Sequence, residues 1–232
     1  MLGVIIPHYK NKEQLKKCEE ALEKQTYHDV LVTVVDNTDD NKGFTRACNT
    51  GIKKLFDECE YFVLLNQDCY LKENALQNMV RFMEANPKCG IAGIKQLQAG
   101  NTDRIVHGGC TQAFPHGRHL GGLVSKGDCE KNQKMPWVNG ACLMIRKSTV
   151  IDIGLMDENF VLICSDSDWC YTARMRGWEV WYIADAQCLH ESGVSSGSED
   201  EKINTQMKID TLNFREKWVS AGNFRELSME IF

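Results

Sequence analysis

The chain has no apolar run near the ~20 residues that a membrane-spanning helix needs. Its start, Met1-Leu2-Gly3-Val4-Ile5-Ile6-Pro7, carries neither a cationic n-region nor a hydrophobic stretch long enough for a signal peptide. Neither Gly-x-x-x-x-Gly-Lys-Ser/Thr nor Gly-x-Gly-x-x-Gly occurs, which counts against a P-loop NTPase and a standard dinucleotide fold. Positive charge is not in excess: 27 Lys and Arg against 32 Asp and Glu leave −5, so no nucleic-acid partner is expected on a basic surface. None of the 11 cysteines forms a Cys-x-x-Cys pair, which argues against zinc ribbons and fingers. Cys142, Cys164 and Cys188 have apolar neighbours and read as small buried hydrophobes, reduced thiols of a cytoplasmic protein. What is present, 43% hydrophobic and 25% charged over 232 residues, suits one globular domain.

Residues 3–6 form a β-rich run that Pro7 is expected to stop. Leu15, Cys18 and Leu22 fall at helical spacing, and 30–35 is a nearly unbroken β-branched run, the pattern of a strand covered on both faces. Cys48, Ile52, Leu55 and Phe56 mark a second helix and 61–65 a strand. Leu76, Met79, Val80 and Met83 mark a helix ending before Pro87. This alternation predicts parallel strands with right-handed crossovers, an α/β layered sheet. Over 98–133 Gly108-Gly109, Gly117 and Gly121-Gly122 interrupt periodicity, and His107, His116 and His119 cluster in a loop-rich excursion with room for irregular strands. The His116-Gly-Arg-His119 pair reads as ordinary loop residues, because no helix aims it. Regular structure resumes over 141–145. A helix follows at 165–176 with Gly177 past its end, then a strand at 179–183. A charged helix over 200–218 carries the stripe Ile203, Met207, Phe214 and Trp218. Its acidic start, Glu199-Asp200-Glu201, favours core or partner packing over an anionic lipid surface. No repeat or low-complexity linker divides the chain.

In an open parallel sheet, ligands bind beyond the carboxyl ends of the strands. Val34-Val35-Asp36-Asn37 and Leu64-Leu65-Asn66-Gln67-Asp68 place acidic groups at two such exits, as turn formers or as ligands. A nucleoside diphosphate bound without a phosphate loop needs another positive charge. A divalent metal supplies it, and Asp68 is the natural carboxylate for that metal. Ser165-Asp166-Ser167-Asp168 reads as a capping box with Asp168 in place of Glu, which puts Asp166 at the first helical position. There the helix dipole lowers a carboxyl pKa unless burial opposes it. His190 follows the β-like run 186–189, as a structural residue or as a ligand.

Taken in order along the chain, over about residues 2–195, these segments resemble glycosyltransferase family 2, and its rhamnosyltransferase-like branch in particular. Val4-Ile5-Ile6-Pro7-His8-Tyr9 resembles the opening strand with its loop at the nucleobase, and Val35-Asp36-Asn37 the strand whose Asp contacts the base. The run 41–49 resembles the family's Asn-x-Gly-Phe segment, through Gly43, Phe44, Arg46 and Asn49. Leu65-Asn66-Gln67-Asp68 is similar to the Asp-x-Asp element, and Val138-Asn139-Gly140-Ala141-Cys142 to the acceptor-side turn. The run 154–170 resembles the Gly-Leu-Phe-Asp … Glu-Asp-x-Asp-Leu-Cys block, and His190 the late histidine.

The resemblance implies a GT-A fold: a single domain over 1–220, with a Rossmann-like, mixed but mainly parallel sheet flanked by helices. Residues 1–97 would be the nucleotide-binding half and 98–195 the acceptor-binding and catalytic half, with a tail at 221–232. It implies inverting transfer from a UDP- or dTDP-sugar to a glycan hydroxyl, for polysaccharide or glycoprotein glycan, at the cytoplasmic side of a membrane. Pro7, His8, Tyr9, Asp36, Gly43, Phe44, Arg46, Asn49, Asn66, Gln67 and Asp68 would hold the donor. Mn²⁺ or Mg²⁺ would sit on Asp68 and His190, Asp166 would be the base, and Trp137, Asn139, Gly140 and Asp168 would meet the acceptor. The chain departs from the family pattern in three places. Only Asp68 of its Asp-x-Asp element is acidic, Ser165 stands where Glu is common, and Asp36 and Asn41 are unusually close. The alternatives are a non-catalytic sugar-nucleotide or protein binding module on the same fold, or a sugar nucleotidyltransferase. The latter would want a glycine after the first strand, where Pro7-His8-Tyr9-Lys10 has none.

Overall fold

A computed structural model describes residues 1–110, 129–191, 200–224 and 227. In chain order the elements are β1 (Leu2–His8), α1 (Lys12–Glu23), β2 (Val30–Asp36), α2 (Phe44–Leu55), β3 (Tyr61–Leu65), β4 (Cys69–Leu71), α3 (Ala75–Ala85) and β5 (Cys89–Gln98). Then come β6 (Asn101–His107), β7 (Gln133–Lys134), β8 (Cys142–Arg146), α4 (Lys147–Ile153), α5 (Ser165–Met175), β9 (Glu179–His190) and α6 (Glu201–Phe214), which continues into a π turn, Arg215–Val219. The described strands form one mixed sheet of order β2-β1-β3-β8-β5-β9-β4, with β6 on β5 and β7 on β9. β1, β2 and β3 are mutually parallel. β8 runs against both β3 and β5, and β9 is parallel to β5. The five strands that share one direction include the two longest, which gives the sheet its mainly parallel character.

Two apolar layers cover the sheet. On one face Leu2, Val4, Ile6, Val63, Leu65 and Met144 pack with Leu76, Met79 and Met83 of α3 and Cys18 of α1. On the other, Ile5, Phe62, Leu64, Leu143 and Ile145 pack with Ile52 of α2 and Trp169 and Tyr171 of α5. That alternation along β1 and β3 is the two-residue period of a strand buried on both faces. All 11 cysteines are free and buried. Among the described residues no helix is long and apolar enough to cross a membrane.

Several expectations change. Pro7 lies inside β1, opposite Val35, rather than ending it. Pairing with β3 stops at Ile5, and the His8 carbonyl accepts from Asn37 on the β2 side. The nitrogen of Pro7 therefore faces the side where no strand pairs, and its missing N–H costs nothing there. β2 is an edge strand with Val32 48% exposed, not a strand covered on both faces. The predicted strand at 179–183 extends to His190 and absorbs the run 186–189. The excursion after Gln98 begins, as expected, with an irregular strand, β6, whose register against β5 shifts twice. His116, His119, Gly117, Gly121 and Gly122 lie outside the described residues.

Candidate active site

Beyond the carboxyl ends of β1 and β3 the chain is pinned by one side chain. Gln67 Oε1 accepts from His8 Nδ1 (2.7 Å) and from the Tyr9 amide (2.9 Å), while its Nε2 donates to the Tyr9 carbonyl (3.1 Å) and Gln14 Oε1 (3.2 Å). Gln67 is the middle residue of the Asp-x-Asp-like element, whose first acid is replaced by Asn66, and its polar atoms are spent on holding the 8–9 loop and Gln14. His8, 3% exposed, is part of that internal bond. Tyr9 is exposed, with Lys10 Nζ 4.7 Å from its ring centre. Asp36 is exposed opposite His8 and accepts from the Thr38 amide (2.8 Å), and the Thr38 hydrogen bonds lower its carboxyl pKa.

The 41–49 segment faces inward more than expected. Gly43 has φ +89°, and a side chain there would meet Val161, so only glycine suits both conformation and space. Asn49 is buried: it donates to the Met156 carbonyl (2.9 Å) and Glu158 Oε1 (3.1 Å) and accepts from the Met156 amide (3.1 Å). Arg46 Nε donates to Glu158 Oε2 (2.9 Å). Arg46 and Asn49 thus hold the 156–158 segment, and Asn49 does not reach a nucleotide from its buried place.

At the far edge of the sheet, β4 and β9 pair Cys69 with His190, which brings His190 Nε2 to 3.4 Å from Asp68 Oδ2. His190 Nδ1 is already engaged with Gln96 Oε1 (2.9 Å). In the neutral imidazole with Nδ1 protonated, Nε2 presents a lone pair, and with the carboxylate oxygen it makes two facing acceptors, an arrangement that a cation satisfies. Ligand atoms about 2.0–2.2 Å from a shared ion can stand about 3 Å apart, so the pair fits a divalent metal. Cys69 Sγ lies within 4.8 Å of both donor atoms. Beside them Glu191 accepts from Gln14 Nε2 and Tyr70 Oη, both at 2.7 Å, and those bonds, Gln14's first, lower its pKa.

Asp166 opens α5, and its surroundings differ from a capping box. The residue before the helix is Cys164, at φ +69°, a left-handed conformation for a non-glycine residue. Its carbonyl accepts from the Asp168 amide (2.8 Å) and Ser167 Oγ (3.0 Å), so Ser165 is the first helical residue and Asp166 the second. Asp166 Oδ2 accepts from the Gly140 amide (2.7 Å) and Oδ1 from the Ser167 amide (2.8 Å). Burial still dominates over those bonds and raises its carboxyl pKa, although part of the residue keeps contact with solvent. A partly accessible carboxylate with raised basicity suits a proton acceptor.

Trp137 (1% exposed) and Asp168 (2%), expected on the acceptor side, are buried beneath this surface. Asp168 Oδ1 accepts from Trp218 Nε1 (2.7 Å) and Lys217 Nζ (2.8 Å) of the C-terminal π turn. Burial nevertheless raises the Asp168 pKa. The sequence reading missed Asp210: wholly buried, it accepts from the amides of Val161, Leu162 and Ile163 (3.1, 2.7 and 2.9 Å) and from Gln206 Nε2 (2.8 Å). It also missed Gln14, Gln96 and Glu191, single polar residues in helical or apolar runs that give no local signal.

Comparison with known proteins follows the same lines. A family described as "Glycosyltransferase like family 2" matches residues 2–207. An N-acetylglucosaminyl-diphospho-decaprenol L-rhamnosyltransferase of Mycobacterium tuberculosis is 31% identical over 61 residues, 26% of this chain and 20% of the relative. The low-salt glycan biosynthesis hexosyltransferase Agl10 of Haloferax volcanii is 22% identical across 99% of this chain and 78% of its own length. The crystal structure of GalNAc-T7 with UDP, GalNAc and Mn²⁺ superposes with a TM-score of 0.66 at 13% identity, over 82% of this chain and 43% of that one. The chain thus spans a fifth of the first relative and under half of this structure, whose likeness carries the fold alone.

Proposed function

The chain belongs to glycosyltransferase-like family 2 on a GT-A fold, and on that premise we propose that it transfers a sugar from a nucleoside-diphosphate sugar to a glycan hydroxyl, with inversion at the anomeric carbon. A pyrimidine donor, a UDP- or dTDP-sugar, is the best reading. Tyr9, exposed at the end of β1, offers a ring face to the base, and Asp36 beside it offers a hydrogen-bond acceptor. Pro7 and the pinned 8–9 loop give that surface its shape. The diphosphate would extend along Asn66 to Asp68, the only acidic residue of its element. Mn²⁺ or Mg²⁺, held by Asp68 and His190, would supply the positive charge that stabilises the departing diphosphate.

Asp166 takes the proton of the acceptor hydroxyl. As that oxygen bonds to the anomeric carbon, the bond to the diphosphate breaks on the opposite face. The Gly140 amide holds Asp166 Oδ2 in place, while Trp137 and Asp168 support the site from beneath rather than touching the acceptor. The acceptor class is a polysaccharide or glycoprotein glycan; of the relatives, one is named for glycan biosynthesis and the other for rhamnosyl transfer to N-acetylglucosaminyl-diphospho-decaprenol. Eleven unpaired thiols suit a reducing compartment, so the proposed setting is the cytoplasm.

The observation that carries this reading is the partly exposed carboxylate of Asp166 tied to the same turn as the strand end that bears Asp68. Ala141 accepts from the Asn66 amide (2.8 Å), one residue after Gly140 holds Asp166. The test is calorimetric titration of UDP, dTDP, GDP and ADP, each with and without Mn²⁺. Metal-dependent binding of a pyrimidine diphosphate, lost in Asp68→Ala, is expected. Asp166→Asn should bind alike yet lose about 10²–10⁴-fold in transfer, the worth of a general base. Binding with unchanged transfer removes Asp166 from the role, and binding without any transfer in the native protein favours a non-catalytic module.

A further inference from the structure

We infer that Gln96 and Asn139 act as a positioning relay that fixes which nitrogen of His190 carries the proton, and so which one is presented to a cation beside Asp68. The inference rests on the metal reading above. The relay begins at a backbone donor whose direction is not negotiable: the Ala141 amide donates to Asn139 Oδ1 (2.8 Å). The atom of Gln96 that faces this same oxygen, at 3.2 Å, is therefore its amide nitrogen, a donor. With Nε2 so committed, Gln96 turns Oε1 toward His190 Nδ1 at 2.9 Å, and an amide oxygen can only accept. Nδ1 must carry a proton, and in the neutral imidazole Nε2 is then left with its lone pair toward Asp68 Oδ2, 3.4 Å away.

Gln96 has no solvent-exposed surface, so water cannot replace either partner without cost. Its place follows from the sheet. β5 and β9 run parallel with Gln96 opposite Cys188 and Gln98 opposite His190, which brings the Gln96 side chain to the imidazole. The neighbouring residue of the turn, Gly140, holds Asp166 through its amide. One turn therefore sets the imidazole through Asn139 and the base through Gly140.

Two measurements on the whole protein test this. Long-range ¹⁵N–¹H correlation of the imidazoles, without metal, reads the proton position on His190 directly. The expected result is Nδ1–H in the native protein and in Asn139→Asp, which keeps the acceptor. Gln96→Leu and Asn139→Ala should give mixed or Nε2–H imidazole, the second without touching His190. Titration of Mn²⁺ with UDP present should then weaken about 10–100-fold in Gln96→Leu, the usual effect of losing a partner behind a metal ligand. A thermal melt of each variant separates unfolding from this effect. An Nε2–H form in the native protein, or proton positions unmoved in both variants, overturns the relay. Equal Mn²⁺ affinity in native protein and Gln96→Leu overturns its purpose. A relay that responds as expected in a protein that binds no Mn²⁺ overturns the metal reading alone.

Discussion

At Gly140 the room for a side chain is already taken. A Cβ there would lie 3.0 Å from Asp166 Cβ and 3.2 Å from its Oδ2, closer than ordinary contact allows. Gly140→Ala must therefore push the carboxylate aside. Displacement by about 1 Å costs on the order of 10²-fold in rate, so kcat should fall by about that factor while nucleotide affinity stays within about twofold. Calorimetry beside initial rates reads the split. The same carboxylate makes a pH prediction. Burial raises its pKa, so activity should be present above that value and be lost as pH falls through it, at a pH above the ~3.9 of an ordinary Asp. The sign for stability is opposite, since a raised carboxyl pKa weakens the fold as pH climbs through the same window. A pH–kcat profile of native protein reads the first, and a pH series of melts reads the second. Asp36, Asp68, Asp166 and His190 were legible because strand exits and a helix start are visible in local pattern. Gln67 and Asn49 were read as donor contacts, yet they spend their polar atoms inside the protein. Residue type in a motif does not state which way a side chain turns.

The C-terminal helix acts on the site through polar atoms more than through its stripe. Of Ile203, Met207, Phe214 and Trp218, only the last two are buried, packed with Tyr171 at ring distances of 5.9 and 5.7 Å. Between them and the start of α6, Asp210 gathers the three amides of 161–163 just before the helix that carries Asp166. Asp210→Ala leaves those donors buried without a carboxylate. At about 1–3 kcal/mol for each group left unsatisfied, partly relieved by relaxation, roughly 3–5 kcal/mol of stability should go, read as a shift in urea midpoint. Lys217 is a lesser case. It pairs with Asp168 and with Asp157 (2.9 Å); burial opposes its charge, but the two carboxylates outweigh that and raise its pKa. At 38% exposure its loss in Lys217→Met should cost less, about 1–2 kcal/mol, because solvent screens one side of the pair. Helix positions were legible from apolar spacing. A single acid within a charged helix, however, looks like any solvated residue until the fold shows what it faces.

The whole molecule brings together parts that the chain keeps far apart. Strand and helix alternation revealed the first three parallel strands, because a two-residue period and short connections leave few other topologies. Strand direction further on was not legible. β8 runs against its neighbours on both sides, and an apolar run has the same period whichever way it points. Yet that reversal sends the 138–141 turn back to the end of β3, where Ala141 meets Asn66. The length of β9 then carries His190 level with Gln98 at the end of β5, beside Cys69 and Asp68 at the edge of the sheet. Half of the candidate cation site thus comes from the 68–69 segment and half from a residue 122 positions later, 190 − 68. A ligand that bridges them should stabilise the fold, because it binds only when both are in place. At about 100 times its Kd, bound ligand adds about 2.7 kcal/mol, which for a chain of this size is roughly 5–10 °C in Tm. Mn²⁺ with UDP should produce that shift in the native protein, and UDP alone should produce little of it. His190→Ala should abolish the Mn²⁺-dependent part, and its own melt without ligand should fall by several degrees, since the substitution leaves Gln96 Oε1 buried without its donor. A shift that survives in His190→Ala would mean that the cation is held elsewhere, and that the edge of the sheet serves the fold alone.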